Sequence, residues 1–317
     1  MKRMTKLQGF YAVVILALFL LPLFVHNQYV LHLGIMTFLF ITIAIGWNIL
    51  GGYTGQISFG HASFFGIGAY TTAILWLRMG IPPLLTIPLG GLLAAVFGII
   101  WGYPLLRLRG YFFAIATIGV GEATRVLASF WESLTGGSSG LTLPVPKVFS
   151  KVPFYYEMLI IAFLVFLLSV WIYNSKFGLG LFAIKDDIDA SETLGINTPF
   201  YKIMALAVSG FIVGIGGSFY AQYIFYVEPG DVFSFEKSVN LILINIVGGV
   251  GTIFGPVFGA LIFLVLQEFV LVLFPNLHLL VYGLLLVLII IYQPNGLAGL
   301  IEFVKRKIRK KKHVGGT

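Results

Sequence analysis

The chain has 317 residues, of which 59% are hydrophobic and 10% charged, against about 45–50% and about 25% in soluble domains. That composition excludes an ordinary globular domain, a disordered chain, a coiled coil and a collagen-like repeat, and the absence of cysteine excludes disulfides, thiolate metal sites and cysteine nucleophiles. The net charge of +8 would point to nucleic acid in a soluble protein, but a membrane protein places Lys and Arg by topology.

A bilayer core about 30 Å thick needs roughly 20 apolar residues per helix, so the length allows about ten spans and no soluble catalytic domain. Lys2, Arg3 and Lys6 precede the apolar run Phe10–Val25. No small-residue cleavage site follows it, so a retained first span is expected rather than a signal peptide. Charge-free apolar segments then fall near 10–26, 30–50, 62–77, 84–103 and 111–130, and again near 156–174, 203–226, 238–250, 256–274 and 278–293. The run 238–250 is short and ends in Gly248-Gly249, which predicts a half-helix or re-entrant element. The expected architecture is all-α and polytopic, about ten transmembrane helices with glycine-rich broken or re-entrant segments.

With both termini cytoplasmic, the inner segments carry Lys2, Arg3, Lys6, Arg107, Arg109, Lys176, Lys185, Lys202 and seven basic residues between Lys305 and Lys312, which is 15 of the 20. The outer segments carry four, Arg78, Lys147, Lys151 and Lys237, and Arg125 lies inside a span. The bias supports this orientation and reads the tail 305–317 as a topology anchor at anionic lipid, not a nucleic-acid site. Residues 1–304 are read as one transmembrane domain.

Along the chain, the first informative stretch is 46–73. Gly51, Gly52 and Gly55 can break a helix, and Asn48, Thr54, Gln56, Ser58 and His61 supply polar groups near membrane depth. Irregular backbone at that depth must line a cavity or be buried in protein. A helix restarting near Ser58 would aim its N–H groups at a translocation path, while close packing through small residues is the competing reading. Glu122 and Arg125 lie at i and i+3 in the fifth span, and Glu268 lies in the ninth. Charges there are costly, so the first two should pair or face a wet cavity, whereas Glu268 should sit near a helix end or pair with another element.

Two loops exceed what topology needs. The outer loop 131–155 carries Thr135-Gly-Gly-Ser-Ser-Gly140, then Pro144 and Pro146. The inner loop 175–202 carries Lys185, Asp186, Asp187, Asp189, Glu192, Leu194 and Gly195. Asp186 or Asp187 can cap a short helix with an acidic first turn, and Gly195 suits its stop. Such a helix fits a docking surface, and a solvated connection fits as well. Gly51–Gly60 also resembles Gly248–Gly255, with Gly251 between, by duplication or by chance.

No G-x-x-x-x-G-K-[ST], H-E-x-x-H or G-x-S-x-G sequence occurs, and His26, His32, His61, His278 and His313 lack ligand spacing. An enzyme is therefore not expected, nor a metal or cofactor held by this chain. A permease and an ion-coupled carrier using Glu122 or Glu268 both stay open on these residues.

Gly51–Thr72, the loop from Gly180 through Lys185-Asp186-Asp187 and Leu194-Gly195 to Lys202, and Gly248–Ala260 resemble one family. It is the permease subunit of bacterial branched-chain amino acid ABC importers, and Thr135–Leu141 with Gly121-Glu122…Arg125 resembles its LivM type. The resemblance covers about residues 35–295. It implies an importer of leucine, isoleucine and valine in the bacterial inner membrane, with a LivH-like second permease and an extracytoplasmic amino-acid-binding protein. Two cytoplasmic ABC ATPase subunits would hold ATP and Mg. It also makes the loop 175–202 the element that couples to the ATPase. Urea or short amides, carried by related permeases, are the alternative cargo.

Overall fold

The computed structural model describes residues 17–25, 27–146 and 149–273, together with Leu277, Leu280, Val281 and Leu284. Residues 17–24 form α1. α2 (Gln28–Trp47) starts at Asn27, whose side chain accepts from Tyr29 N, and runs on into a π-helical turn, Asn48–Gly52. There follow α3 (His61–Met79), α4 (Pro83–Leu105), α5 (Tyr111–Phe130), the short α6 (Glu132–Thr135) and α7 (Lys151–Asn174). Then come α8 (Lys176–Asp186), α9 (Ile188–Thr193), α10 (Thr198–Ile224), the short α11 (Pro229–Val232), α12 (Phe235–Gly248) and α13 (Gly255–Leu273). Ser150, Ser175, Asp187, Asn197 and Ser234 each cap a helix by accepting a first-turn backbone N–H. The predicted segments from 30–50 to 256–274 each coincide with a helix. The segment 278–293 lies almost wholly outside the described residues; the tail and Lys2, Arg3 and Lys6 lie entirely outside them.

Among the described residues the regular structure is helical apart from one antiparallel bridge, in which β1 (Leu141–Thr142) pairs with β2 (Tyr226–Val227). Among the described residues, five helices are long and apolar enough to cross a membrane: α2 with its π turn, α4, α5, α7 and α10. In α2 and α10, 67% of the most apolar window is buried, against 33% in α4 and α7 and 22% in α5. The first two are thus the central posts, and the others turn apolar faces such as Leu92, Ile100, Ile115 and Leu164 outward. An apolar exterior of this extent suits lipid, not water. This is a multi-pass membrane protein.

Glycines set the closest approaches at the centre. A side chain on Gly68 would strike the Gly214 carbonyl, and one on Gly217 would strike that of Phe65, so α3 and α10 meet backbone to backbone. Ser218 Oγ donates to Gly68 O at 2.9 Å across that contact. Small residues bring membrane helices together where no hydrophobic difference from lipid can do so. Chain order and contacts define two ends of the bundle. One holds Arg78, which donates to Ser133 and Leu134 carbonyls, and the β1–β2 bridge; the other holds Arg109 and the α8–α9 loop.

Candidate functional site

The site is built on the break between α2 and α3. Residues 53–60 leave helical conformation and climb back into the bundle, so that Phe59 N donates at 3.0 Å to Thr117 Oγ1 in the second turn of α5. α3 starts at His61, three residues later than the predicted restart at Ser58, because Ser58 is held elsewhere. Trp47 Nε1 donates to Ser58 O at 2.9 Å, and Ser58 Oγ lies 3.0 Å from His61 Nδ1. His61 Nε2 is 2.8 Å from Ser209 Oγ on α10, and Ala62 N donates to Ser238 Oγ on α12 at 3.0 Å. The freed backbone and the histidine are thereby satisfied inside protein, as non-helical chain at membrane depth requires.

The two glycine-rich stretches meet. Asn48 in the π turn accepts from Gly251 N at 2.8 Å and donates to Thr252 O at 3.0 Å. Gly251 has φ +81°, and a Cβ there would come within 2.8 Å of both Gly52 O and Lys185 Nζ. Gly55, φ +73°, approaches the same lysine, with a Cβ 3.2 Å from Lys185 Cγ. Gly248 and Gly259 in turn let α12 and α13 pack as a close hairpin. Gly52, Gly55 and Gly251 therefore share one locus with Lys185, although about two hundred residues separate the two stretches.

Lys185 lies in the last turn of α8, and Asp187 caps α9 by accepting from Ala190 N at 2.9 Å. Asp186 does not take that role. Asp189 pairs with Arg109 at 2.9 Å, Glu192 accepts from Thr198 Oγ1, and Gly195 closes the loop at φ +84°. Leu194 is 80% exposed, an apolar side chain offered outward at the Arg109 end.

A cavity of about 770 Å³ joins these parts. Thr54, Gln56 and Ile57 of the climbing segment form one wall, Lys185, Asp186, Asp187 and Asp189 a second, the α5 start a third, and Val239, Ile242 and Ile246 of α12 a fourth. Gln56 Oε1 is buried without a hydrogen-bond partner. Of the five polar residues picked from sequence, only Thr54 and Gln56 face this space. Asn48 and His61 are wholly engaged in helix contacts, and Ser58 borders only a gap of about 20 Å³.

Glu122 and Arg125 pair with each other on an outward face of α5, joined by Arg125 Nε to Glu122 Oε2 at 2.9 Å and by a second bond from Nη2 to Oε1. Glu268, near the end of α13, accepts from the Tyr29 hydroxyl at 2.8 Å. The structure does not gather these three with the break. Sequence reasoning missed Thr117, Ser209, Ser238 and Asn245, the last donating to Ala44 O at 3.1 Å. Their signal was available: each is a polar residue within an apolar stretch, where it must find a partner.

Residues 29–290 match the family described as branched-chain amino acid transport system, permease component. The high-affinity branched-chain amino acid transport system permease protein LivM of Escherichia coli is 29% identical, over 92% of this chain and 75% of its own length. LivM of Salmonella typhimurium is 30% identical, over 83% and 68%. BraD of Pseudomonas aeruginosa, named for the same transport, is 26% identical over 83% and 92%. These relatives are transport permeases, not enzymes. No solved structure matches the chain significantly.

Proposed function

The chain belongs to the family of branched-chain amino acid transport permeases, and from that premise we propose that it is one membrane subunit of an ATP-driven importer for leucine, isoleucine and valine. It works in the bacterial inner membrane with both termini in the cytoplasm and about ten spans, residues 1–304 forming the permease domain. A LivH-like permease, two cytoplasmic ABC ATPases holding ATP and Mg, and an extracytoplasmic binding protein complete the assembly. The binding protein does most of the selecting.

One observation carries the reading: the cavity is walled jointly by the α2–α3 break and by the α8–α9 loop. Movement of α9 against an ATPase would reach Thr54 and Gln56 through Lys185, which touches both glycine stretches. Thr54 and Gln56 are the path residues, Asn48, Ser58 and His61 hold the break in shape, and Asp187, Asp189, Glu192 and Leu194 present the docking face. The pairing of Glu122 with Arg125, and of Glu268 with Tyr29, favours a drive supplied by partner subunits over an ion-coupled carrier.

The test is to purify the tagged chain from native membranes, identify its partners by mass spectrometry, and measure leucine uptake by the reconstituted complex. Two ATPases, a second permease and vanadate-sensitive uptake are expected. Uptake by this chain alone, abolished by an uncoupler and indifferent to vanadate, would overturn the proposal.

A further inference from the structure

At the Arg78 end a cavity of about 560 Å³ lies between the loop 144–146 and the near ends of α3, α4, α7 and α10. Its volume falls within the roughly 300–1,000 Å³ of small-molecule sites. Trp76, Phe154 and Phe225 form an aromatic wall, with the Trp76 and Phe154 ring centroids 6.2 and 6.1 Å from that of Phe225. Prolines at 82, 83, 144, 146 and 153 stiffen the rest. Phe225 ends α10 at φ +61°, and its carbonyl accepts from Leu143 N at 2.8 Å, which pins the loop over the helix end.

Two polar side chains face this space. Glu157, in the second turn of α7, is the one ionisable group of its lining, and Gln222, 4% exposed, stands near the end of α10. The two are neighbours, yet the buried atoms Glu157 Oε1 and Gln222 Nε2 have no hydrogen-bond partner among the described residues. A buried carboxylate oxygen calls for a cationic N–H donor, and a buried amide nitrogen calls for an acceptor.

The surroundings decide what carries both groups. Leu84 and Val145 on the rim are 68% and 62% exposed, so the cavity opens sideways onto the apolar exterior. Ile215, Phe211, Val208 and Met204 continue down α10 on the face of Gln222, spaced by seven, four, three and four residues and only partly buried. α4 borders this stripe at Gly91, where a Cβ would come within 3.0 Å of both Ile215 and Phe211. A polar pocket at a helix end, opening onto a long apolar groove, has the shape of a lipid with its headgroup uppermost.

We propose that this cavity seats the headgroup of an aminophospholipid, phosphatidylethanolamine by its chemistry. The ammonium donates to Glu157 Oε1 beside aromatic rings, whose faces attract cations. A phosphate oxygen accepts from Gln222 Nε2, and one acyl chain lies along the α10 stripe. The site faces lipid, apart from the cavity at the Arg109 end, and holds whatever the cargo is.

The test is native mass spectrometry of the assembled complex in mild detergent, titrated with phosphatidylethanolamine, phosphatidylglycerol and phosphatidylcholine of identical acyl chains. One phosphatidylethanolamine should be held about tenfold more tightly than either other lipid, the scale of one hydrogen bond to a charged group. Glu157→Gln should remove that preference, and Lys147→Gln, which tests a lysine of this chain as the rival partner, should leave it unchanged. Equal retention of the three lipids, or a preference that survives Glu157→Gln, would overturn the site. So would stronger retention in Lys147→Gln, or displacement of the lipid by leucine or free phosphoethanolamine. Should Glu157→Gln not assemble, phosphatidylethanolamine with a diazirine in its acyl chain decides the matter in the wild type. Crosslinks should fall on α4 and on 204–215, and crosslinks confined to other faces would refute the assignment.

Discussion

The backbone N–H of Gly251 donates to Oδ1 of Asn48 at 2.8 Å across a sequence separation of 203 residues. The same amide donates on to Thr252 O, so one side chain fixes the π turn of α2 to the loop between α12 and α13. Asn48→Leu removes both bonds and leaves the half-buried Gly251 N–H and Thr252 carbonyl without this partner, at up to about 1–3 kcal/mol for each group. The purified complex should lose thermal stability in detergent and transport together. Asn48→Asp, which keeps the acceptor for Gly251, should be milder in the same melting assay.

Gly251→Ala should be far worse than Gly80→Ala. Both glycines have positive φ, and a left-handed conformation costs an alanine about 1–2 kcal/mol at either site. At Gly80 nothing lies within 4 Å of the added carbon, whereas at Gly251 it meets Gly52 O and Lys185 Nζ at 2.8 Å. Uptake assays at matched expression should show near-normal transport for the first and loss for the second.

Asp187 has two separable duties. As the cap of α9 its replacement by Ala costs about 1 kcal/mol, and Asn keeps the cap while removing the charge. If the acidic face docks on an ATPase, Asp187→Asn should keep assembly stable yet lower substrate-stimulated ATP hydrolysis, and Asp187→Lys should abolish it. Full coupling in both variants would remove the charge from the docking account.

The Tyr226 hydroxyl donates to Glu228 Oε2 at 3.0 Å and to Ser139 O at 2.9 Å, tying the loop after α6 to β2. That carboxylate partner raises the phenol above its usual value of 10. The neutral phenol is thus favoured in the folded chain, so its contribution is complete below pH 10 and is lost as pH rises beyond it. Protease cleavage within 131–142 should accelerate above pH 10 in the wild type, and Tyr226→Phe should already cleave faster at neutral pH.

For Glu122 and Arg125, single substitutions should hurt more than the double. A lone charge at a helix centre costs roughly 2.5–3.5 kcal/mol on insertion scales, and each residue neutralises the other. Glu122→Leu and Arg125→Leu should each lower the membrane-inserted yield, and the double variant should recover it. The cycle of four yields gives the coupling directly.

Hydropathy made the helices legible because apolar length is what crossing a bilayer demands, and the glycines at 51, 52, 55, 248, 249 and 251 marked both breaks. The Asp187 cap and the pairing of Glu122 with Arg125 followed from local spacing alone. What could not be read was depth and direction. Ser58 looked exposed to a path because nothing local shows that Trp47 claims its carbonyl. Only the packing brings Glu268 of α13 to Tyr29 of α2, 239 residues away.

The bond between Asn48 and Gly251 also orders the birth of the protein. At about 5–20 residues per second, 203 residues separate the synthesis of its two ends by roughly 10–40 s. Throughout that interval the nascent chain holds α2 and α3 with their polar break lacking its final partner. A chain stopped before Gly248 would leave the joint permanently open, a mark by which quality-control proteases could recognise it.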